Sequence, residues 1–280
     1  MTSVSRMLDA ARAAGGDGHH FRVLQLPGNL VESGLALTRN TGPTGDQTAL
    51  EAAVAAGLGV LVNRPLNAFR NDGLLRLADY TVPPAGAPLD KLVHAVSDLE
   101  SEFKRRLGPA LAKLPAQMKP DRLARFFSLG EELNGVWNRL RGLDHWEQIE
   151  EGMILPQLSQ VMRVLDRVLN GAMASEWIQW RERYLPVLQE LLGEIRRTAT
   201  AQSQAASERV TVRIASTLPA ERHGATLSQK ALWVLESLGG VSSVLVGMRR
   251  ISYVDDACAV LTWPPLADPE RALKVMAAEA

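Results

Sequence analysis

From Leu92 to Ile195 the apolar residues recur almost only at helical spacing: Leu92, Val96, Leu99, Phe103 and Leu107, then Leu123, Phe126, Leu133, Trp137 and Leu140. Leu155, Leu158, Met162, Leu165 and Leu169 continue the pattern, followed by Trp177, Tyr184, Leu188, Leu191 and Ile195. Such spacing puts apolar side chains on one face of long helices, and several such helices pack as a bundle. No strand signal interrupts the block. It opens after the turn-rich PPAGAP at 83–88, and both of its flanks have a different texture.

Upstream, residues 3–14 form an amphipathic pattern with Val4, Met7, Leu8 and Ala11 on one face, ended by Gly15 and Gly16. FRVLQL at 21–26 reads as a strand ending in the turn residues Pro27-Gly28-Asn29. A Gly-, Thr- and Pro-rich loop at 38–47 leads to a small-residue helix at 48–57 and a second apolar run, LGVLV, at 58–62. Strand, helix and strand in that order predict a βαβ unit with parallel strands.

Downstream, TLSQKALWVLESLGG at 226–240 predicts a helix with Thr226 as N-cap, Ala231, Leu232 and Leu235 on one face and Gly239 as its stop. A strand follows at 241–246, then Gly247, a last helix near 251–261, and a surface tail containing Pro264 and Pro265. The polar stretch TATAQSQAASER at 198–209 is compatible with the end of the last long helix or with a linker. The expected organisation is an α/β domain in two pieces, residues 1–80 and 210–280, interrupted by an all-helical insertion at 81–209.

Lys+Arg and Asp+Glu both total 31, so the net charge is zero and the basic balance of a nucleic-acid or membrane-surface binder is missing. The single cysteine, Cys258, excludes an intrachain disulfide and a multi-thiolate metal site, and fits a reducing cytoplasm. It is expected as a small core residue on the last helix. The N-terminal segment lacks the roughly 7–15-residue apolar run of a signal peptide, and no stretch reaches the roughly 18 apolar residues of a membrane span. The five histidines show no metal spacing; His145, among Asp144, Glu147 and Glu150, reads as part of a solvated helix start. Trp137, Trp146, Trp177 and Trp180 are expected in the core of the insertion. Phosphate-loop, nucleophile-elbow and HExxH motifs are missing.

Four segments, FRVLQLPGNLVES, GLGVLVNRPLN, HGATLSQKALWVL and GVSSVLVGMRRISYVDDA, together resemble the C-terminal portion of the aldo/keto reductase family. The resemblance covers roughly 110 residues. It implies the last three βα units of a (β/α)8 TIM barrel, with the chain beginning about where the helix after strand five should begin. The family binds NADP(H) across the C-terminal ends of its strands and reduces carbonyls with an Asp/Tyr/Lys/His tetrad. That tetrad lies on the first four strands, so no catalytic residue is expected in this chain.

By the resemblance, Gln25 would contact the nicotinamide carboxamide, and Arg64, Pro65 and Leu66 would form the end of strand seven, with Arg64 near the pyrophosphate or paired with a carboxylate. Asn63 stands about where many members place an aromatic residue. Gly247, Arg249 and Arg250 would lie at the adenosine 2′-phosphate, with Tyr253 and Asp256 towards the adenine. The residues alone support part of this. A helix N-terminus supplies unpaired N–H groups and guanidinium pairs with phosphate, and barrel enzymes often bind phosphate after strands seven and eight. Gln25, on an apolar strand, is expected to be buried and to need a hydrogen-bond partner.

Three strands cannot close a barrel and leave two bare edges. The expected partner is therefore an N-terminal barrel half, fused or separate, or a second copy of the chain, together with a small-molecule carbonyl substrate; neither nucleic acid nor membrane is expected. The alternative reading is a non-catalytic interaction or regulatory protein whose helical insertion binds a partner.

Overall fold

A computed structural model describes residues 3–42, 44–70, 73–112, 120–169 and 171–278. Along the chain the elements are α1 (Val4–Gly15), β1 (Val23–Pro27), α2 (Gly34–Leu37), α3 (Ala49–Ala55), β2 (Gly59–Asn63), β3 (Asn67–Arg70) and β4 (Gly73–Arg76). They continue with α4 (Leu89–Arg106), α5 (Gly108–Leu111), α6 (Pro120–Phe126), α7 (Leu129–Leu133), α8 (Leu143–Ile149), α9 (Leu155–Val168) and α10 (Ala172–Ala215). Last come α11 (Leu227–Glu236), β5 (Ser243–Val244), α12 (Ile251–Cys258) and α13 (Pro269–Ala277). The chain divides into an α/β unit, residues 1–79 with 205–280, and a helical unit, residues 80–204. These bounds lie close to those expected from the sequence.

In the α/β unit the three parallel strands lie in the order β1-β2-β5. Leu24 pairs with Val60 and Leu26 with Val62, which in turn pairs with Val244. Because side chains alternate across a strand, this row points to one face, where it packs with Ala53 of α3, Val234 of α11 and Leu273 of α13. The intervening row, Gln25, Leu61 and Ser243, belongs to the opposite face. Val23 is 52% exposed there and Gln25 is exposed as well. The sheet is thus covered by helices on one side and bare on the other. The class is mixed α/β with a parallel three-stranded sheet and, among the described residues, no closed barrel.

Capping boxes start two of these helices. Thr48 Oγ1 accepts from the Glu51 N–H while Glu51 reaches back to the Thr48 N–H, and Thr226 and Gln229 do the same for α11. Gly28 follows β1 where the backbone passes close to its neighbours: a Cβ there would lie 2.0 Å from Leu35 Cδ2 and 3.0 Å from Val62 Cγ1.

The helical unit has its own core. Phe103, Phe127, Trp177, Trp180 and Tyr184 are buried together, with ring centroids 4.0 Å apart for Phe103–Phe127 and 4.5 Å for Trp180–Tyr184. Trp146 joins this core and Trp137 packs partly buried against it. Glu100 is 2% exposed, and its carboxylate accepts from the N–H groups of Leu129 and Gly130 at the start of α7 and from the Tyr184 hydroxyl, at 2.9, 3.1 and 2.8 Å. Burial pushes the Glu100 pKa above its ordinary value against the pull of these donors. It also raises the Tyr184 pKa, with the neighbouring carboxylate acting in the same direction. At Gly130 the helices α4 and α7 approach so closely that a Cβ would lie 2.9 Å from the Ser97 backbone nitrogen and 3.1 Å from the Val93 carbonyl oxygen.

Three expectations need correction, those for the last strand, the terminal segment and Cys258; a hairpin is added and the open alternative at 198–209 is resolved as helix. The segment after β2 turns into an antiparallel hairpin, β3–β4, with Asn67 paired to Arg76. The last strand shrinks from 241–246 to Ser243–Val244. Residues 198–209 lie within the continuous helix α10. The terminal segment is no surface tail: Asp268 caps α13 by accepting from the Arg271 N–H at 3.1 Å, and Ala272, Leu273 and Met276 enter the core. Cys258 is exposed, because α12 buries Ala257 and turns the next residue outward.

Candidate functional site

The carboxyl ends of the parallel strands carry most of the candidate residues, at the edge where ligands bind in open α/β sheets. Beyond β1, Asn29 is fully buried and organises the turn. Its Oδ1 accepts from the Val31 and Glu32 N–H groups at 3.0 and 2.7 Å, and its Nδ2 donates to Glu32 Oε2 at 2.9 Å and to the Asn67 carbonyl at 3.3 Å. Beyond β2, Arg64 has φ 55°, the single positive φ outside glycine among the described residues. A non-glycine residue held there costs on the order of 1–3 kcal/mol and persists only where its surroundings impose it.

Those surroundings are specific. Arg64 Nη2 donates to Glu32 Oε1 at 2.7 Å, its guanidinium lies 4.7 Å from the centroid of the Phe69 ring, and Glu32 Oε2 accepts from the Phe69 N–H at 3.0 Å. Of the two readings open for Arg64, pairing with a carboxylate is the one present. Pro65 is buried and Leu66 packs against the core, the two forming the turn into β3. Asn63 ends β2 with its Oδ1 buried and without a hydrogen-bond partner. Asn29 forms the turn expected of it after Pro27-Gly28, whereas Glu32 was missed by sequence reasoning.

The third strand end is more open. Gly247, Arg249 and Arg250 are exposed, and α12 starts at Ile251 with no side-chain cap and no acidic residue in its first turn. Arg250 lies 5.7 Å from the centroid of the Tyr253 ring, and Tyr253 is 44% exposed. Arg249 has neither an ion-pair nor a hydrogen-bond partner among the described residues. An uncapped helix start next to free guanidinium groups suits an anion of phosphate type.

Two candidates serve other ends. The Asp256 carboxylate accepts from the Thr226 hydroxyl at 2.8 Å and from the Ser228 hydroxyl, tying α12 to the start of α11. Gln25 is exposed rather than buried, because its row of the sheet faces away from the helices, so it needs no partner within the chain. Elsewhere, Lys230 is 3% exposed and donates to the His223 carbonyl at 2.7 Å, and burial lowers its pKa.

His145 accepts from the Arg141 N–H at 3.2 Å, and its pKa is lowered by burial and by the nearby Arg141 charge. No group of three or more His, Cys, Asp or Glu with metal-binding geometry occurs among the described residues, and none of their helices is long and apolar enough to cross a membrane. No family model matches this chain, nor does any curated protein or solved structure.

Proposed function

We propose that the α/β unit is the cofactor-binding part of an aldo/keto reductase-like carbonyl reductase, equivalent to the last three βα units of a (β/α)8 barrel, with the catalytic tetrad contributed from outside this chain. The observation that carries the reading is the bare sheet face. Three consecutive parallel strands sheltered by helices on one side only are what part of a barrel wall presents, its open face corresponding to the barrel interior. Gln25 lies on that face, where an amide can meet the carboxamide of a nicotinamide ring.

Arg249, Arg250, Gly247 and the start of α12 would hold the 2′-phosphate, and Tyr253 would flank the adenine. Arg64 serves the pyrophosphate only by giving up Glu32, and Asp256 is already engaged at α11, so these two fit the cofactor less well. Bound NADPH would supply a hydride for a small carbonyl substrate. The chain's own residues orient the cofactor and discriminate its phosphate.

The alternative, a helical bundle that captures a partner, draws less support, because Trp146, Trp177 and Trp180 are at most 2% exposed and face inward.

Calorimetric titration with NADPH and NADH tests the proposal. NADPH should bind at least about tenfold more tightly, a gap of about 1.4 kcal/mol, and Arg249→Ala should erase the difference. Equal affinity for the two nucleotides, or binding of neither, would overturn the reading. Carbonyl reduction should be absent from the chain alone and appear only when a tetrad-bearing barrel half is added.

A further inference from the structure

Exposed apolar surface is concentrated in one short segment. Of the fourteen large hydrophobic residues that are exposed among the described ones, six fall between positions 245 and 261: Leu245, Met248, Ile251, Tyr253, Val254 and Leu261, with Ile251 at 82% and Leu261 at 69%. An exposed apolar concentration of this kind marks an interaction surface. Beside it runs a groove of about 230 Å³ between β5 and α12, lined by Leu232, Val244, Val246, Met248, Val260 and Leu261. β5 is also an edge: it pairs with β2 on one side and with no strand on the other among the described residues. Its outer N–H and C=O groups are therefore available to another strand.

The charges at the two ends of this edge are opposite. Glu236 is the last residue of α11, and the short turn at 237–240 brings the chain directly into β5, so Glu236 marks the strand's N-terminal end, where it also lines the groove. Arg249 and Arg250 follow Met248 at the C-terminal end. Glu236 and Arg249 are exposed and have no ion-pair partner among the described residues.

We propose that this groove receives a second copy of the chain, the two β5 edges pairing antiparallel about a two-fold axis. Antiparallel pairing sets Arg249 and Arg250 of each copy against Glu236 of the other, so the surface is complementary to itself. Parallel pairing with an identical strand would set like charges together. The two-fold arrangement closes at two chains and brings the two α12 helices together over the junction, covering Ile251 and Leu261. The proposal does not rest on the cofactor reading: the dimer occupies the arginines and the strand edge which that reading needs, so it describes the nucleotide-free chain, and association is measured without nucleotide.

Sedimentation velocity of the full chain should show a concentration-dependent monomer–dimer equilibrium. Cys258, the chain's single cysteine, lines the groove, so its alkylation should slow at least about tenfold when the dimer is saturated. The double variant R249E/R250E and the single variant E236R should each sediment as monomers with unchanged circular dichroism. An equimolar mixture of the two should dimerise again, because in the mixed dimer both junctions regain opposite charges. A wild-type chain that stays monomeric, or one that forms open-ended assemblies, would overturn the proposal, as would a mixture of the two folded variants that remains monomeric.

Discussion

The helical unit and the α/β unit treat their polar and apolar groups in opposite ways. In the helical unit even a carboxylate can be buried, because Glu100 meets two backbone N–H groups and a tyrosine hydroxyl. The large rings pack edge to face or stacked against one another, and three of the fourteen exposed large hydrophobics belong to this unit. In the α/β unit Gln25 and Val23 stand on a bare sheet face, and the other eleven exposed hydrophobics are found there. A unit that seals its interior to this degree is finished by its own residues. The α/β unit leaves a sheet face and a strand edge that the described residues do not cover.

The largest expected effect tests the sealed unit. Phe103→Ala removes a fully buried ring in contact with Phe127 and Trp180 and should cost about 3–5 kcal/mol in denaturant unfolding. A loss below about 1 kcal/mol would mean that the aromatic core relaxes around the hole and is not tightly packed.

Next in size is the response to pH at Glu100. Its folded pKa lies above the ordinary 4.5, so the native state holds this proton more tightly than the unfolded chain does. The resulting stabilisation is fully present below about pH 4.5 and is lost as pH rises through the folded pKa. Unfolding free energies of the wild type and Glu100→Gln, measured from pH 4 upward, should differ in slope, the variant lacking this decline. Parallel curves would show that burial is offset by the three donors.

Smaller still is the cap of α11. Thr226→Ala should cost about 1 kcal/mol, and Asp256→Ala a similar amount, since Asp256 anchors both Thr226 and Ser228. A stability cost for Asp256→Ala with nucleotide affinity intact would assign that residue to the scaffold. The smallest effect belongs to the open face: Gln25→Ala should change stability by less than about 0.5 kcal/mol. A larger loss would mean that the face is covered in solution.

Legibility followed the same division. The helical block was readable because its apolar residues repeat at one spacing from Leu92 to Ile195 and most of them bury at that spacing, with Leu155 an exposed exception. The βαβ unit was readable from two apolar runs, and α11 from Thr226, which caps as its type suggests. Gln25 was misplaced because a strand bare on one face and a strand buried on both carry the same near-continuous run of apolar residues. The β3–β4 hairpin was hidden by short strands of mixed polarity, NAFR and GLLR. The start of α13 was readable and missed: Asp268 before Pro269 is an N-cap followed by a proline at the first helical position. The left-handed backbone at Arg64 left no trace in the residue types, since it is imposed by Glu32 and Phe69 from other parts of the chain.

Glycine inside a helix costs roughly 0.5–1 kcal/mol relative to alanine, so a random choice among residues favouring α7 would avoid it at position 130. Yet the backbones of Ser97 and Val93 leave no space there for even a methyl group. In a library of variants selected only for folding, glycine should return at this position against its own propensity. The tolerance of the helical unit to inherited change is thus set at one point by the distance between two main chains, whatever side chains surround it.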